Sequence, residues 1–146
     1  MIEPSPDKFE LLSQITHCYN LKLFKAINYC NAWQLQTNDG YKYLKKTDLA
    51  IVDLCFTYEA LEFLNHRGFK TAPRFQLNHL EMPFLWLEGD YYFMTNWYPA
   101  RELDFQLEHD LRDASRYLAK FHRYGAGFEP SIPQLRTCWS NWPAKL

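Results

Sequence analysis

Ala32-Trp-Gln-Leu-Gln-Thr-Asn-Asp-Gly-Tyr-Lys-Tyr-Leu-Lys-Lys46 decides the fold class. Trp33, Leu35 and Thr37 alternate with Gln34 and Gln36, which is the two-residue period of a strand covered on one face. Asn38-Asp39-Gly40 reads as a tight turn, because Asp and Gly both tolerate positive φ, and Tyr41 to Lys45 returns as the second arm of a hairpin. Upstream, Phe24 to Tyr29 is another strand-like run. Downstream, Phe75 to Asn78, Pro83 to Glu88 and Tyr91 to Trp97 read as strands, with Gly89-Asp90 turning between the last two.

Three stretches carry helical spacing instead. Phe9, Leu12 and Ile15 recur along Pro6 to His17, with Ser5 as the cap and Pro6 at the first helical position. A second helix runs from a cap at Thr47 or Asp48 to about Arg67, with Gly68 beyond its end. It is apolar almost all round, the pattern of a helix held between packed layers. Leu107, Leu111, Ala114, Leu118 and Phe121 follow 4-3-4-3 spacing, an amphipathic helix with Asp104 as its cap and Gly125 as its stop. The order predicts an α+β domain: a five-stranded antiparallel sheet with one crossing helix, then a helix that belongs to something else.

Composition narrows the function. In 146 residues the net charge is −1, hydrophobic residues make up 47% and charged residues 23%. Such a chain buries a core and lacks the basic footprint of a nucleic-acid binder. No apolar run reaches the roughly 20 residues of a membrane span, and Met1 to Asp7 has neither a basic nor an apolar signal region. The four cysteines, at 18, 30, 55 and 138, show no C-x-x-C spacing and read as reduced thiols. The five histidines have no zinc-ligand spacing. Aromatics reach 18%, and without interleaved basic residues they read as core and sheet packing.

Lys45, at the end of a strand, is followed by a helix that carries Glu59 and Glu62 on apolar turns. A carboxylate on an apolar face needs a cation, because burying it unpaired costs several kcal/mol. A strand lysine opposite a helix glutamate is the device by which protein kinases hold the α- and β-phosphates. Either glutamate, taken alone, equally reads as one that reaches solvent from the edge of its face.

Five stretches in this order resemble one family. They are Trp33 to Lys46, Glu62-Phe-Leu-Asn-His-Arg-Gly68, Tyr92-Phe-Met-Thr-Asn-Trp-Tyr-Pro-Ala-Arg-Glu102, Leu118-Ala-Lys-Phe-His122 and, faintly, Trp139 to Pro143. Together they resemble the aminoglycoside phosphotransferase and choline kinase superfamily, and within it the CotS-like spore coat proteins of endospore-forming bacteria. The resemblance implies a kinase-like N-lobe over residues 1–98, then the hinge exit and a partial, truncated C-lobe over 99–146. It implies ATP between the lobes, with Lys45 on the phosphates, Glu59 or Glu62 orienting that lysine, and the backbone of Asn96, Trp97 and Tyr98 at the adenine.

The sequence departs from that pattern in three places. Asn28-Tyr-Cys-Asn31 has no glycine, so its amides are poorly placed to approach phosphates. Ala100 stands where glycine is usual. No aspartate follows Asp113, so neither the catalytic base nor the metal-binding aspartate of the family has a candidate. His109-Asp110 is no substitute: it lies on the helix before the loop position, Ser115 stands where an asparagine is wanted, and Asp110 falls on the polar side.

The reading is therefore a kinase-like spore coat protein fragment without phosphotransfer, with no metal site. It would be made in the cytoplasm and located in the spore coat. Its partners would be other coat proteins or a second copy bound through the 107–121 helix, not nucleic acid or membrane. One alternative is the N-terminal part of an ATP-dependent small-molecule phosphotransferase, and another is a small aromatic-rich α+β binding module.

Overall fold

The structure, a computed structural model, describes residues 3–29 and 31–131. Cys30 and the stretch Trp139 to Pro143 lie outside the described residues. The elements run α1 (Pro6–Cys18), β1 (Leu23–Tyr29), β2 (Ala32–Thr37), β3 (Gly40–Thr47), α2 (Ile51–His66), β4 (Leu85–Leu87), β5 (Asp90–Asn96) and α3 (Glu108–Gly125). They divide into two compact units: a sheet unit of residues 1–49 and 73–100, and a helical unit of 50–72 and 101–146.

In the sheet unit all five strands pair antiparallel in the order β1-β2-β3-β5-β4. The β2–β3 hairpin forms where the alternation placed it, but only Gly40 of the turn takes the left-handed region, at φ +80°. Thr37 braces the turn: its hydroxyl accepts from Asp39 N–H at 3.1 Å and donates to the Gly40 carbonyl at 2.8 Å. The second hairpin turns on Glu88 and Gly89, both at positive φ, and Asp90 is already the first residue of β5. That pair of left-handed residues matches the twist of the flanking strands.

Ser5 caps α1, accepting from Lys8 N–H, with Pro6 in the first turn. Leu12 and Ile15, both fully buried, dock α1 onto one sheet face against Leu23, Ala26, Leu35, Leu44, Tyr92 and Met94. Strand alternation selects this face: Leu44 is paired with Trp33 on one side and Met94 on the other, and its neighbours Tyr43 and Lys45 point the opposite way.

Two expected edges move. The run Phe75 to Asn78 makes only one bridge, Phe75 to Thr95, plus Gln76 N–H to the Met94 carbonyl at 2.7 Å. Asn78 explains the break. Its side-chain oxygen accepts from Leu80 and Met82 N–H and its amide donates to the Phe84 carbonyl, which curls the chain away from the strand. Correspondingly, β4 is shorter than Pro83 to Glu88.

In the helical unit α2 begins later than its capping residues suggested. Ala50 is the N-cap and offers no side-chain bond, because β3 runs on to Thr47 and the Thr47 hydroxyl accepts from Leu49 N–H at 3.2 Å. The end is as expected: Gly68 takes φ +99° just past it. Helix α3 has Leu107 as N-cap, and Asp104 instead closes a local turn by accepting from Gln106 N–H at 2.9 Å. Phe69 packs edge-on to Phe121 and beside Tyr124, and Phe128 lies between Phe56 and Phe63.

Candidate functional site

The sheet face opposite α1 carries the features that could meet a ligand. Tyr29 at the end of β1, Tyr43 in the middle of β3 and Trp97 just after β5 come together there. The Trp97 ring meets Tyr29 edge-on at 5.2 Å and lies tilted beside Tyr43 at 6.2 Å. With Thr95, Asn96, Tyr98 and Ala100 they line a cavity of about 210 Å³. Aromatic walls of this size suit a flat, apolar ring that stacks.

Trp97 owes its position to the backbone. Its N–H donates to the Tyr41 carbonyl at 3.0 Å and so continues the β3–β5 ladder one residue past the strand. Consequently the Trp97 amide is already committed. Of Asn96, Trp97 and Tyr98, Tyr98 has a backbone N–H with no partner among the described residues. The Asn96 side chain is occupied as well, accepting from Lys42 Nζ at 2.9 Å and Gln76 Nε2 at 3.0 Å.

Lys45 stands on the same face as Tyr43, two residues along, or about 7 Å at the strand rise. It is half-buried and sits between Ala32 of β2 and Phe93 of β5. Among the described residues of the sheet unit it makes no ion pair. Its neighbour Lys46 points to the other face and is engaged by Asp90 at 2.8 Å, a contact that raises the lysine's pKa. Of the two adjacent lysines, Lys45 is thus the one whose ammonium is available near the aromatic cavity.

Glu59 and Glu62 belong to the helical unit. Glu59 Oε2 accepts from Ser131 N–H at 2.9 Å. Both glutamates line a groove of about 560 Å³ whose other walls include Tyr58, Phe63, His66 and Phe128. Among the described residues no group of three His, Cys, Asp or Glu side chains is placed to hold a metal ion.

Two charged constellations escaped the sequence reading. Lys42 is buried on the α1 face, 2% exposed, and its ammonium reaches Asp39 Oδ2 at 2.7 Å as well as Asn96. That hydrogen bond holds the Asp39 carboxyl below its usual range. Lys42 shares strand parity with buried Leu44, so alternation alone signalled its burial. The second constellation corrects the placement of Asp110, which is wholly buried rather than on a polar side. Arg101 grips it with two hydrogen bonds, at 2.6 and 2.5 Å, Asp104 N–H adds a third at 2.8 Å, and His109 Nε2 lies 3.1 Å away. Arg101 foremost, then the Asp104 amide, keeps its carboxyl far below the usual carboxylate range. All its lone pairs face donors, which fits a carboxylate that anchors the chain entering α3 and is no free base.

No family model matches the sequence, and no curated protein matches it. Among solved structures the chain is similar to an aminoglycoside phosphotransferase from Alicyclobacillus acidocaldarius, with a TM-score of 0.73 at 17% identity. The fold is kinase-like. The similarity covers 96% of this chain and 42% of that one, so the chain spans less than half the length of its structural neighbour. The five-stranded antiparallel sheet corresponds to the kinase-like N-lobe. No helix among the described residues is long and apolar enough to cross a membrane.

Proposed function

We propose that this chain is the nucleotide-holding N-terminal portion of a kinase-like, ATP-dependent small-molecule phosphotransferase. One juxtaposition carries the reading: an aromatic cavity at Tyr29, Tyr43 and Trp97, with Lys45 about 7 Å along the same sheet face. A purine stacks on the indole and phenol rings, with Tyr98 N–H as a donor to its edge. The base then lies near enough to the sheet for its phosphates to extend toward the Lys45 ammonium. Glu59 or Glu62 would orient that lysine, as the family resemblance implies. The structural neighbour is an aminoglycoside phosphotransferase, and a polycationic small molecule is the corresponding substrate class here.

Titration of the purified chain with ATP and ADP, followed by Trp fluorescence and calorimetry, tests this. Saturable binding that falls about tenfold in Lys45→Met, and is lost in Trp97→Ala with the fold intact by circular dichroism, is expected. Binding unchanged in both variants refutes the site. With magnesium and a panel of aminoglycosides, choline and sugars, this chain alone is expected to show no turnover above the protein-free control. Turnover abolished by Lys45→Met would mean that the chain does contain a base.

A second reading, a non-catalytic role in the spore coat among other coat proteins, is favoured by the apolar surface that α3 leaves exposed. Absence of any nucleotide binding, together with localisation of a fluorescent fusion to the coat of an endospore-forming host, would replace the first reading with this one.

A further inference from the structure

Helix α3 presents large apolar side chains to solvent in one stripe. Leu107 is 43% exposed, Leu111 51%, Leu118 57% and Phe121 46%. Between them lies Ala114, the small residue of the stripe. The 4-3-4-3 spacing is that of a coiled-coil seam, in which side chains from a facing helix fit between successive turns. The stripe is nearly symmetric about Ala114: Leu107 and Phe121 lie seven residues to either side, and Leu111 and Leu118 lie three and four.

The charges on α3 are divided along its length. N-terminal to Ala114 it exposes Glu108 and Asp113 against Arg112, Asp110 being buried under Arg101. C-terminal to Ala114 it carries Arg116, Lys120 and Arg123 and no carboxylate. Within the helix Arg112 reaches Glu108 at 2.6 Å and Arg116 reaches Asp113 at 3.7 Å, but all four side chains are more than half exposed. Such exposed pairs hold their partners weakly. Two such helices laid side by side in parallel would bring acidic half to acidic half and basic half to basic half. Laid antiparallel, each acidic half faces a basic half, and the helix dipoles oppose as well.

We propose that the α3 face docks a second copy of this chain in an antiparallel, two-fold symmetric pair centred on Ala114. Leu107 then packs against Phe121 of the second copy, Leu111 against its Leu118, and Ala114 against Ala114, where the small side chains let the helices approach. The face is self-complementary, as a closed two-fold interface requires. Each copy would bury on the order of 400 Å² of stripe, about 800 Å² in total and below the roughly 1,200 Å² at which standard specific interfaces begin, so the dimer is a weak one that dissociates on dilution. This inference does not depend on nucleotide binding.

Sedimentation velocity over a concentration series tests it in the full chain. A reversible monomer–dimer equilibrium is expected. Replacing Leu111 and Leu118 with glutamate should raise the dissociation constant by more than about 100-fold. Reversing the basic half with Lys120→Glu and Arg123→Glu should also weaken the dimer, since acidic would then face acidic. A parallel pair would be indifferent to that change. A milder variant set guards against misfolding. With the four native cysteines replaced by serine, Ala114→Cys should cross-link to itself through a short bismaleimide. Leu107→Cys should cross-link only when mixed with Phe121→Cys. A wild type that stays monomeric at its highest soluble concentration overturns the proposal. So does a dimer that survives the double glutamate variant, an open-ended aggregate, or self-cross-linking of Leu107→Cys.

Discussion

Tyr19 ends α1 and its ring belongs to the sheet-unit core, yet its hydroxyl is buried with no hydrogen-bond partner among the described residues. A hydroxyl removed from water without a replacement bond costs roughly 1–3 kcal/mol by mutational measures. Tyr19→Phe deletes that oxygen and keeps the ring, so it should stabilise the protein by about 1 kcal/mol, or about 3 °C in Tm for a chain of this size. Burial also raises the phenol's pKa above its ordinary value of about 10. The folded state therefore keeps the Tyr19 proton at pH values where the unfolded chain has released it. The stability linked to that proton is complete below pH 10 and falls as pH rises beyond it, by up to about 1.4 kcal/mol per pH unit. In Tyr19→Phe this loss is absent, so the variant's advantage should widen between pH 9 and pH 11. Urea denaturation of both proteins across that range, with equal m-values confirming a common unfolded state, measures the difference. A variant less stable than wild type at pH 7 would show that the hydroxyl has a partner in solution. An advantage that stays flat through pH 11 would show that the ring is not buried.

Leu12→Ala, at the fully buried centre of the α1–sheet contact, should cost about 3 kcal/mol by denaturant midpoint. Gly40→Ala forces an L-residue to φ +80° in the β2–β3 turn and should cost about 1 kcal/mol although the space beside it is open. Asp110→Asn removes a carboxylate whose pKa is lowered by Arg101, and the stability it contributes is present above about pH 4 and lost as pH falls. Acid denaturation of the wild type should therefore include a step that the variant lacks, read by far-UV circular dichroism between pH 5 and pH 2. Lys45→Met should change stability by less than about 0.5 kcal/mol if the lysine serves a ligand rather than the fold.

The start of α1, the β2–β3 hairpin and the seam of α3 were all readable in the chain because each depends on neighbours within a turn or two. Ser5 and Pro6 act on amides three residues away, Gly40 answers a local backbone demand, and the leucines of α3 share one face by helical geometry alone. The start of α2 was not readable. Thr47 is a good capping residue, but pairing with Tyr91 across the sheet keeps it in β3, and its hydroxyl serves Leu49 instead. Asn78 has the composition of a strand end only until Phe84, six residues on, draws its amide into a loop.

The site divides in the same way. Lys45 was legible as the lysine at the end of a strand, and its choice over Lys46 follows from alternation. The aromatic cavity beside it was not, because Tyr29 on β1, Tyr43 on β3 and Trp97 just past β5 are brought together only by the β1-β2-β3-β5 order. Burial of Asp110 was hidden as well, whereas alternation signalled that of Lys42 but not what satisfies it. Lys42 is tolerated inside because Asp39 pairs its charge and the side-chain oxygen of Asn96, 54 residues away, accepts from it as well, and Asp110 because Arg101 folds back over it. Local spacing determines which face a side chain takes. Whether a charge on that face can leave water depends on its full set of partners, and those distant in the chain, such as Asn96 for Lys42, only the tertiary structure supplies.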